Sequence, residues 1–168
     1  MRIRPTVRLL IIDDQERMLL LKIEDAMPLD PQQPDLTVYW ATPGGGVEAG
    51  ETFEEAGLRE LWEETGMREE ELGPCVWSRK RTLHFPDEMV LFDERYYLLR
   101  VKTTEVVLTN MLPQEQAVYR AHRWWTLEEM QTSLEVFLPH GLAELLRSLL
   151  AGRIPTVPRI SEEEGASS

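Results

Sequence analysis

The sequence has a single cysteine, Cys75, among its 168 residues. One cysteine excludes an intrachain disulfide, and a zinc site built from several thiolates is not expected without a second cysteine. The three histidines, His84, His122 and His140, are widely separated and match no zinc-binding spacing. Because unpaired cysteine is typical of a reducing compartment, we predict a cytoplasmic protein.

Positively charged residues are also few. The chain has 18 lysine and arginine residues against 30 aspartate and glutamate residues, which gives a formal net charge of -12 and a pI near 4.7. A protein that binds a nucleic-acid duplex needs many basic side chains to neutralise the phosphates, so this composition argues against such a partner. A small phosphate-bearing ligand is compatible with it if local groups offset the charge of the ligand.

Long hydrophobic runs are absent. The chain starts with a basic and then apolar stretch, "MRIRPTVRLLII", which ends at Asp13 and Asp14. This stretch is too short for a signal peptide or a membrane span. We therefore expect no targeting segment and no membrane partner.

The length and the 42% of hydrophobic residues suit one domain with its own core. We predict a single domain over residues 1–160. The end of the chain, "SEEEGASS" at residues 161–168, is small, polar and acidic, which predicts a disordered tail.

Hydrophobic periodicity and turn signals divide the domain into strands and helices. A helix is expected from about Phe53 to Thr65, because Thr52 and Glu55 form a capping-box pair at its start and Gly66 follows its end. The proline-rich residues 24–36 predict an exposed loop. Strands are predicted at Val7–Ile12, Met18–Ile23, "TVYWAT", Cys75–Phe85, Met89–Lys102 and "HRWW", and further helices after Thr126 and over the leucines from Leu142 to Leu150.

The helix after the glycine-rich turn carries three glutamates on one face. Glu60, Glu63 and Glu64 are related by steps of three and four residues, so their side chains project within an arc of roughly 100°. Two carboxylates about 4 Å apart repel by roughly 4 kcal/mol at an effective dielectric of about 20, and no basic residue at helical spacing lies between these three. Hard oxygen ligands favour Mg²⁺, which binds a few carboxylates together with substrate phosphates. The ordinary alternative is a solvated acidic face, since charged helix surfaces are common.

The spacing around these glutamates matches a known motif. Gly45 is followed by five residues and Glu51, and then by seven residues and "RELWEETGM", Arg59 to Met67. This is a complete Nudix box, and average residue usage gives such a match by chance on the order of once in ten million starting positions. The chain therefore resembles the Nudix hydrolases. "WATPGG" before the box and "HRWWTLEE" after it are also similar to family members.

The resemblance implies an α/β fold, with a Nudix-type α/β/α sandwich around a mixed sheet. It also implies Mg²⁺-dependent hydrolysis of a pyrophosphate, with Mn²⁺ as a substitute cation. Carried over position by position, it implies that Glu60, Glu63 and Glu64 bind the metal, with a carbonyl oxygen of Gly44 or Gly45 as an extra ligand. Arg59 and Glu51 would form an ion pair that orients the loop against the helix.

One carboxylate is expected to take a proton from the attacking water. Glu63 and Glu64 are candidates within the box, but members of the family often place the general base in a downstream loop. Glu115, in "LPQEQ", is the first such candidate here and Glu94 the second. An exposed acid without a catalytic role is an equally good interpretation of Glu115, because loops carry both kinds of residue.

The densest basic cluster follows the box at residues 79–81. Strand alternation places Arg79 and Arg81 on one face and Lys80 on the other. We predict that Arg79 and Arg81 bind substrate phosphate or ribose and that Phe85 stacks on a base. The alternative is an edge strand kept soluble by its charges, with the aromatic residues in the core.

The leading hypothesis is a Mg²⁺-dependent pyrophosphohydrolase that cleaves a nucleoside diphosphate linked to another group. Nucleoside triphosphates, oxidised nucleotides and nucleotide sugars remain open, because residues 82–85 lack the family marks for ADP-ribose and diadenosine polyphosphates, and no coenzyme A signature is present. The alternative is a Nudix-type regulatory domain that binds a nucleotide without turnover. One of Trp124 and Trp125 is expected to face outwards from its strand, either at the surface of a homodimer or at the rim of the substrate site.

Overall fold

The computed structural model describes residues 1–153 and the backbone of residues 159–164. The strands are β1 (Arg2–Ile12), β2 (Met18–Glu24), β3 (Val38–Ala41), β4 (Gly44–Gly46), β5 (Cys75–His84), β6 (Met89–Arg100), β7 (Tyr119–Trp125), β8 (Phe137–Leu138) and β9 (Arg159–Glu164). The helices are α1 (Phe53–Thr65), α2 (Pro113–Val118), α3 (Leu127–Thr132) and α4 (Leu142–Leu150).

These strands form one mixed sheet. Its order is β8-β3-β2-β1-β6-β5-β9, with β4 also paired to β1 and β7 to β2. The central strands β1 and β6 are parallel from the pair Arg2–Val90 to the pair Ile12–Arg100, whereas β5 runs antiparallel to β6. The predicted mixed sheet is therefore confirmed.

Helices cover the sheet on both faces. Val7, Leu9 and Ile11 of β1 belong to a buried cluster that includes Ala56 and Leu61 of α1. The alternate residues Leu10 and Ile12 belong to a second cluster, with Met130 of α3 and the leucines Leu142, Leu145, Leu146 and Leu149 of α4. Because side chains alternate along a strand, β1 separates the two clusters. This arrangement confirms the predicted α/β/α sandwich.

Local sequence signals place α1 as predicted. The Thr52 hydroxyl accepts a hydrogen bond from the Glu55 backbone N–H, and the Glu55 carboxylate accepts one from the Thr52 backbone N–H. Gly66 ends the helix at φ 76°, in the left-handed region that favours glycine. Thr126 and Glu129 form a second capping box at the start of α3.

Strand β1 begins at Arg2, whereas the sequence predicts its start at Val7. The parallel pairing with β6 gives backbone hydrogen bonds to the polar residues as well as to the apolar ones. Arg4, Thr6 and Arg8 share a face with Leu10 and Ile12 but precede the part covered by α3 and α4. This uncovered part of the sheet becomes one wall of the site.

The C-terminal prediction needs a correction. Residues 161–164, which the composition places in a disordered tail, belong to β9, which pairs with β5 in parallel. Strand pairing uses backbone groups, so a polar segment can add to a sheet without burying side chains. Residues 165–168 lie outside the described residues. Within residues 1–153, none of the helices has the length and apolar character needed to cross a bilayer.

Candidate active site

The glycine-rich turn brings the sheet and α1 into close contact. Strand β4 pairs with β1 so that Gly45 lies opposite Val7 and Gly44 opposite Arg8. A Cβ atom at residue 45 would lie 2.4 Å from Glu60 Oε1 and 2.8 Å from its carboxyl carbon. Glycine at this position therefore lets the Glu60 carboxylate approach the backbone of the turn.

Three carboxylates meet beside this turn. Oxygen atoms of Glu60, Glu63 and Glu115 all lie within 4.8 Å of one another. Glu115 is in the first turn of α2, where the Leu112 backbone N–H donates to its Oε1 atom at 3.0 Å. Glu60 Oε2 is buried and has no hydrogen-bond partner among the described residues. A buried carboxylate oxygen without a partner is costly, so the site suits a cation.

Glu64 lies behind this group, buried at 6% exposure, and is not one of the three clustered residues. The Gly44 backbone N–H donates to Glu64 Oε1 at 3.3 Å. Burial, followed by the negative charge of Glu60, raises the pKa of the Glu64 carboxyl well above its usual value. Burial and Glu60 also raise the pKa of Glu63. The acids on α1 are thus crowded, as the sequence predicts.

Arg59 is the counterion of this crowded region. Its Nε atom donates to Glu51 Oε2 at 2.8 Å and its Nη2 atom donates to Glu51 Oε1 at 3.0 Å, which is the expected ion pair. Nη2 also donates to the Gly46 carbonyl oxygen at 3.0 Å, which fixes the turn to the helix. Nη1 lies 3.1 Å from Glu60 Oε1 and 3.3 Å from Glu63 Oε2. The prediction that these glutamates have no basic residue among them is therefore wrong, because the Arg59 side chain reaches both Glu60 and Glu63.

A cavity of about 480 Å³ opens next to the acidic cluster. Glu64 and Glu115 line it on the side of α1 and α2, and Arg79, Arg81 and Phe85 line it on the side of β5. All three predicted substrate-binding residues thus face one cavity. Arg79 is buried and Lys80 exposed, as strand alternation predicts. The edge-strand interpretation is wrong, since β5 lies between β6 and β9.

Sequence reasoning missed several residues of this cavity. Arg4, Thr6 and Arg8 of β1 line it. The signal was present, because residues 4, 6 and 8 alternate with apolar or proline positions and share one face of a strand. The loop after β2 also contributes Met27, Pro28 and Leu29 to the rim.

Glu94, the second candidate for the general base, lies on the arginine side of the cavity. Its Oε1 atom accepts a hydrogen bond from Arg79 Nε at 2.6 Å, and its Oε2 atom is 4.0 Å from Arg8 Nε. Burial acts to raise the pKa of Glu94, but the charges of Arg79 and then Arg8 outweigh it and hold the pKa below its usual value. Glu94 is therefore better suited to anchoring arginines than to taking a proton.

We expect Glu94→Gln to lower the free energy of unfolding by about 3 kcal/mol near neutral pH, because it breaks the buried ion pair in which Arg79 Nε lies 2.6 Å from Glu94 Oε1. The folded-state pKa of Glu94 is below the usual 4.5, so its contribution is present above pH 4.5 and is lost as the pH falls below that value. Urea unfolding of both proteins at about pH 7 and about pH 3 measures this difference. Glu88→Gln is the control, since Glu88 pairs with Arg2 at the surface. An equal loss in both variants would contradict the prediction.

Comparison with known proteins identifies the family. The NUDIX domain family model matches residues 2–149. The chain belongs to the Nudix family. This confirms the predicted family and the enzyme class of Nudix hydrolase. The RNA pyrophosphohydrolase of Wolbachia pipientis subsp. Culex pipiens is 33% identical to the Nudix chain over 141 residues, which are 77% of this chain and 78% of that protein.

Other relatives match shorter or longer parts of this chain. The m7GpppN-mRNA hydrolase NUDT17 of Xenopus laevis is 40% identical over 70 residues, but these are only 40% of this chain and 23% of that protein. The solved structure of the MutT protein from Methanosarcina mazei Go1 has a TM-score of 0.61 and 19% identity, over 92% of this chain and 97% of that one. At this identity the likeness supports the fold alone.

Proposed function

We propose that this Nudix protein hydrolyses a phosphoric anhydride bond in a nucleotide-type substrate and that it needs Mg²⁺, for which Mn²⁺ substitutes. The observation that carries the proposal is the meeting of Glu60, Glu63 and Glu115 oxygen atoms within 4.8 Å beside the glycine turn. The proposed substrates are compounds in which a nucleoside diphosphate is linked to another group, such as nucleoside triphosphates, oxidised nucleotides or nucleotide sugars. The RNA pyrophosphohydrolases among the relatives are compatible with this set.

The residues present fit a hard divalent cation. Carboxylate oxygens are the donors that Mg²⁺ prefers, and the unpartnered Glu60 Oε2 is available as a ligand. We assign Glu60 and Glu63 as ligands, together with Glu64 and the Gly45 carbonyl oxygen, which adjoin them. When bound, Mg²⁺ offsets the charge of the substrate phosphates and lowers the pKa of water.

The protein residues around this site have three tasks. Arg59 holds the turn and the helix together through Glu51 and the Gly46 carbonyl oxygen, so the carboxylates keep their positions. Glu115 faces the cavity and the carboxylate cluster, and we assign it as the group that takes a proton from water. Arg79 and Arg81 bind substrate oxygens, and Phe85 contacts the base.

The alternative function, nucleotide binding without turnover, lacks a specific observation in its favour. The closeness of the Glu60 and Glu63 carboxylates and the hydrogen bond from Gly44 to Glu64 support turnover instead. The predicted cytoplasmic location and homodimer stay predictions.

The proposal is tested with a panel of nucleotides incubated with Mg²⁺ and analysed for nucleoside monophosphate, pyrophosphate and phosphate. We expect at least one substrate to be cleaved with Mg²⁺ or Mn²⁺ and none with excess EDTA. Ligand binding measured in the same panel separates the alternatives. Tight nucleotide binding with no product from any compound would favour the regulatory domain.

A further inference from the structure

One face of the sheet concentrates positive charge beside the cavity. Strands β1, β6 and β5 are neighbours, and their paired residues form three rows across this face. The rows are Arg4–Phe92–Arg81, Thr6–Glu94–Arg79 and Arg8–Tyr96–Trp77. All of these residues except Trp77 line the cavity. We call this surface the arginine wall.

The arginine wall has four guanidinium groups and one carboxylate. Glu94 is shared between Arg79 at 2.6 Å and Arg8 at 4.0 Å. The guanidinium groups of Arg4 and Arg81 each lie 5.7 Å from the centre of the Phe92 ring. The wall therefore has a formal charge of +3 inside a protein of net charge -12. Clustered charges of one sign beside a low-dielectric wall attract a ligand of opposite charge.

Thr6 gives an independent indication of a ligand. Thr6 lies between Arg4 and Arg8 on β1, opposite Glu94 of β6, and the residue is 4% exposed. The Oγ1 atom has no hydrogen-bond partner among the described residues. A buried hydroxyl left unpaired costs about 1 to 3 kcal/mol. A hydroxyl on the arginine-bearing wall of the cavity satisfies this requirement by donating to an oxygen atom of a bound anion.

The arginine wall adjoins the carboxylate cluster but does not include it. Arg8 pairs with Gly44, next to the glycine that contacts Glu60. The Arg4 guanidinium nitrogens lie 3.8 and 3.9 Å from the Cβ position of Gly46. An anionic group on the wall is therefore close to, and distinct from, a phosphate held at Glu60 and Glu63. Both groups can belong to one extended substrate.

We propose that Arg4, Thr6 and Arg8, with Arg79 and Arg81 beside them, bind a phosphate group that is not one of the two joined by the cleaved bond. This inference rests on the proposed hydrolytic function and narrows its substrate class. A substrate with three consecutive phosphates fills both regions, whereas a nucleotide sugar places an uncharged sugar, and no further anionic group, against the arginine wall. Guanidinium groups suit this task because they bind phosphate oxygens in a bidentate manner. The triphosphate belongs either to a free nucleotide or to the 5′ end of a single-stranded oligonucleotide.

Binding without catalysis gives the first test. Inorganic tripolyphosphate is titrated into the protein by calorimetry in the presence of EDTA, and we expect binding that weakens as salt is added. Arg4→Gln should weaken it at least about tenfold, and Thr6→Val about threefold without loss of thermal stability. Arg2→Gln is the matched control, since Arg2 lies on the same strand but pairs with Glu88 at the surface. Absence of binding, or equal affinity in all four proteins, would overturn the arginine wall as an anion subsite.

Kinetics separate failure of this inference from failure of the proposed function. Arg4→Gln should raise KM for a nucleoside triphosphate or a 5′-triphosphate oligonucleotide about tenfold, and change KM for a nucleotide sugar less than about twofold. The better of the two triphosphate substrates identifies the source of the group. Turnover of nucleotide sugars alone, unaffected by Arg4→Gln, would refute the subsite while leaving hydrolysis intact. Tripolyphosphate binding that depends on Arg4 in a protein without any turnover would support the subsite and refute the hydrolytic function.

Discussion

Replacing Glu60 with glutamine is expected to lower kcat/KM at least about 100-fold. The change removes a negative charge from the centre of the carboxylate cluster and leaves the volume of the side chain nearly unchanged. Loss of one group that stabilises charge at an active site typically costs about 10² to 10³ in rate. Glu60 is the strongest candidate, because it is buried, contacts the glycine turn and has an unpartnered oxygen atom. Steady-state kinetics with the substrate identified by the nucleotide panel measure the effect.

The matched control for this experiment is Glu69→Gln. Glu69 is exposed and follows α1 closely, so the substitution removes the same charge without touching the cluster. Both variants should keep the circular dichroism spectrum of the parent protein. Calorimetric titration with Mn²⁺ should show weaker binding for Glu60→Gln only. If Glu60→Gln retains the parental rate and metal affinity, the assignment of Glu60 as a metal ligand is wrong.

Gly45→Ala is expected to abolish most activity through steric displacement, since it leaves every charge in place. The new Cβ would lie 2.4 Å from Glu60 Oε1, a separation that real Cβ contacts do not show, so the carboxylate must shift. A misplacement of about 1 Å at a catalytic group costs on the order of 100-fold in rate. We therefore expect an approximately 100-fold lower kcat/KM and a similar loss of Mn²⁺ affinity, measured by calorimetry.

The adjacent glycine gives a control for Gly45→Ala. A Cβ atom at Gly46 would have only the Arg4 guanidinium within 4 Å, at 3.8 and 3.9 Å, which is ordinary contact. Gly46→Ala should therefore bind Mn²⁺ within about twofold of the parent protein. Comparable Mn²⁺ affinity in Gly45→Ala and Gly46→Ala would show that metal binding does not depend on the close approach of Glu60 to residue 45.

Local features of the site could be predicted from the sequence. The capping box at Thr52, the stop at Gly66 and the three-and-four spacing of the glutamates all depend on residues within a few positions of one another. The Arg59–Glu51 ion pair was implied by the Nudix resemblance and is present at 2.8 Å. Strand alternation alone was sufficient to separate Arg79 and Arg81 from Lys80.

The remaining features depend on contacts between distant parts of the chain. Glu115 joins Glu60 and Glu63 only because α2 is positioned against α1, and no periodicity in the sequence encodes that distance. Arg4 and Arg8 enter the site because β1 pairs with β6, whose residues lie about ninety positions later. Arg59 was assigned to one carboxylate, and the folded arrangement brings it within 4 Å of four, those of Glu48, Glu51, Glu60 and Glu63. The short, polar β9 has no hydrophobic pattern from which pairing could be inferred.

The thirteen residues of α1 serve the interior and the site at once, and this sets a trade-off between thermal resistance and activity. Ala56 and Leu61 pack in the core. Glu60 and Glu64 on the same helix are buried next to each other, where their negative charges repel. Neutral substitutions there would relieve repulsion and raise the melting temperature, at the expense of the proposed chemistry. Engineering for heat tolerance should therefore leave this helix unchanged and concentrate on surface positions far from the cavity.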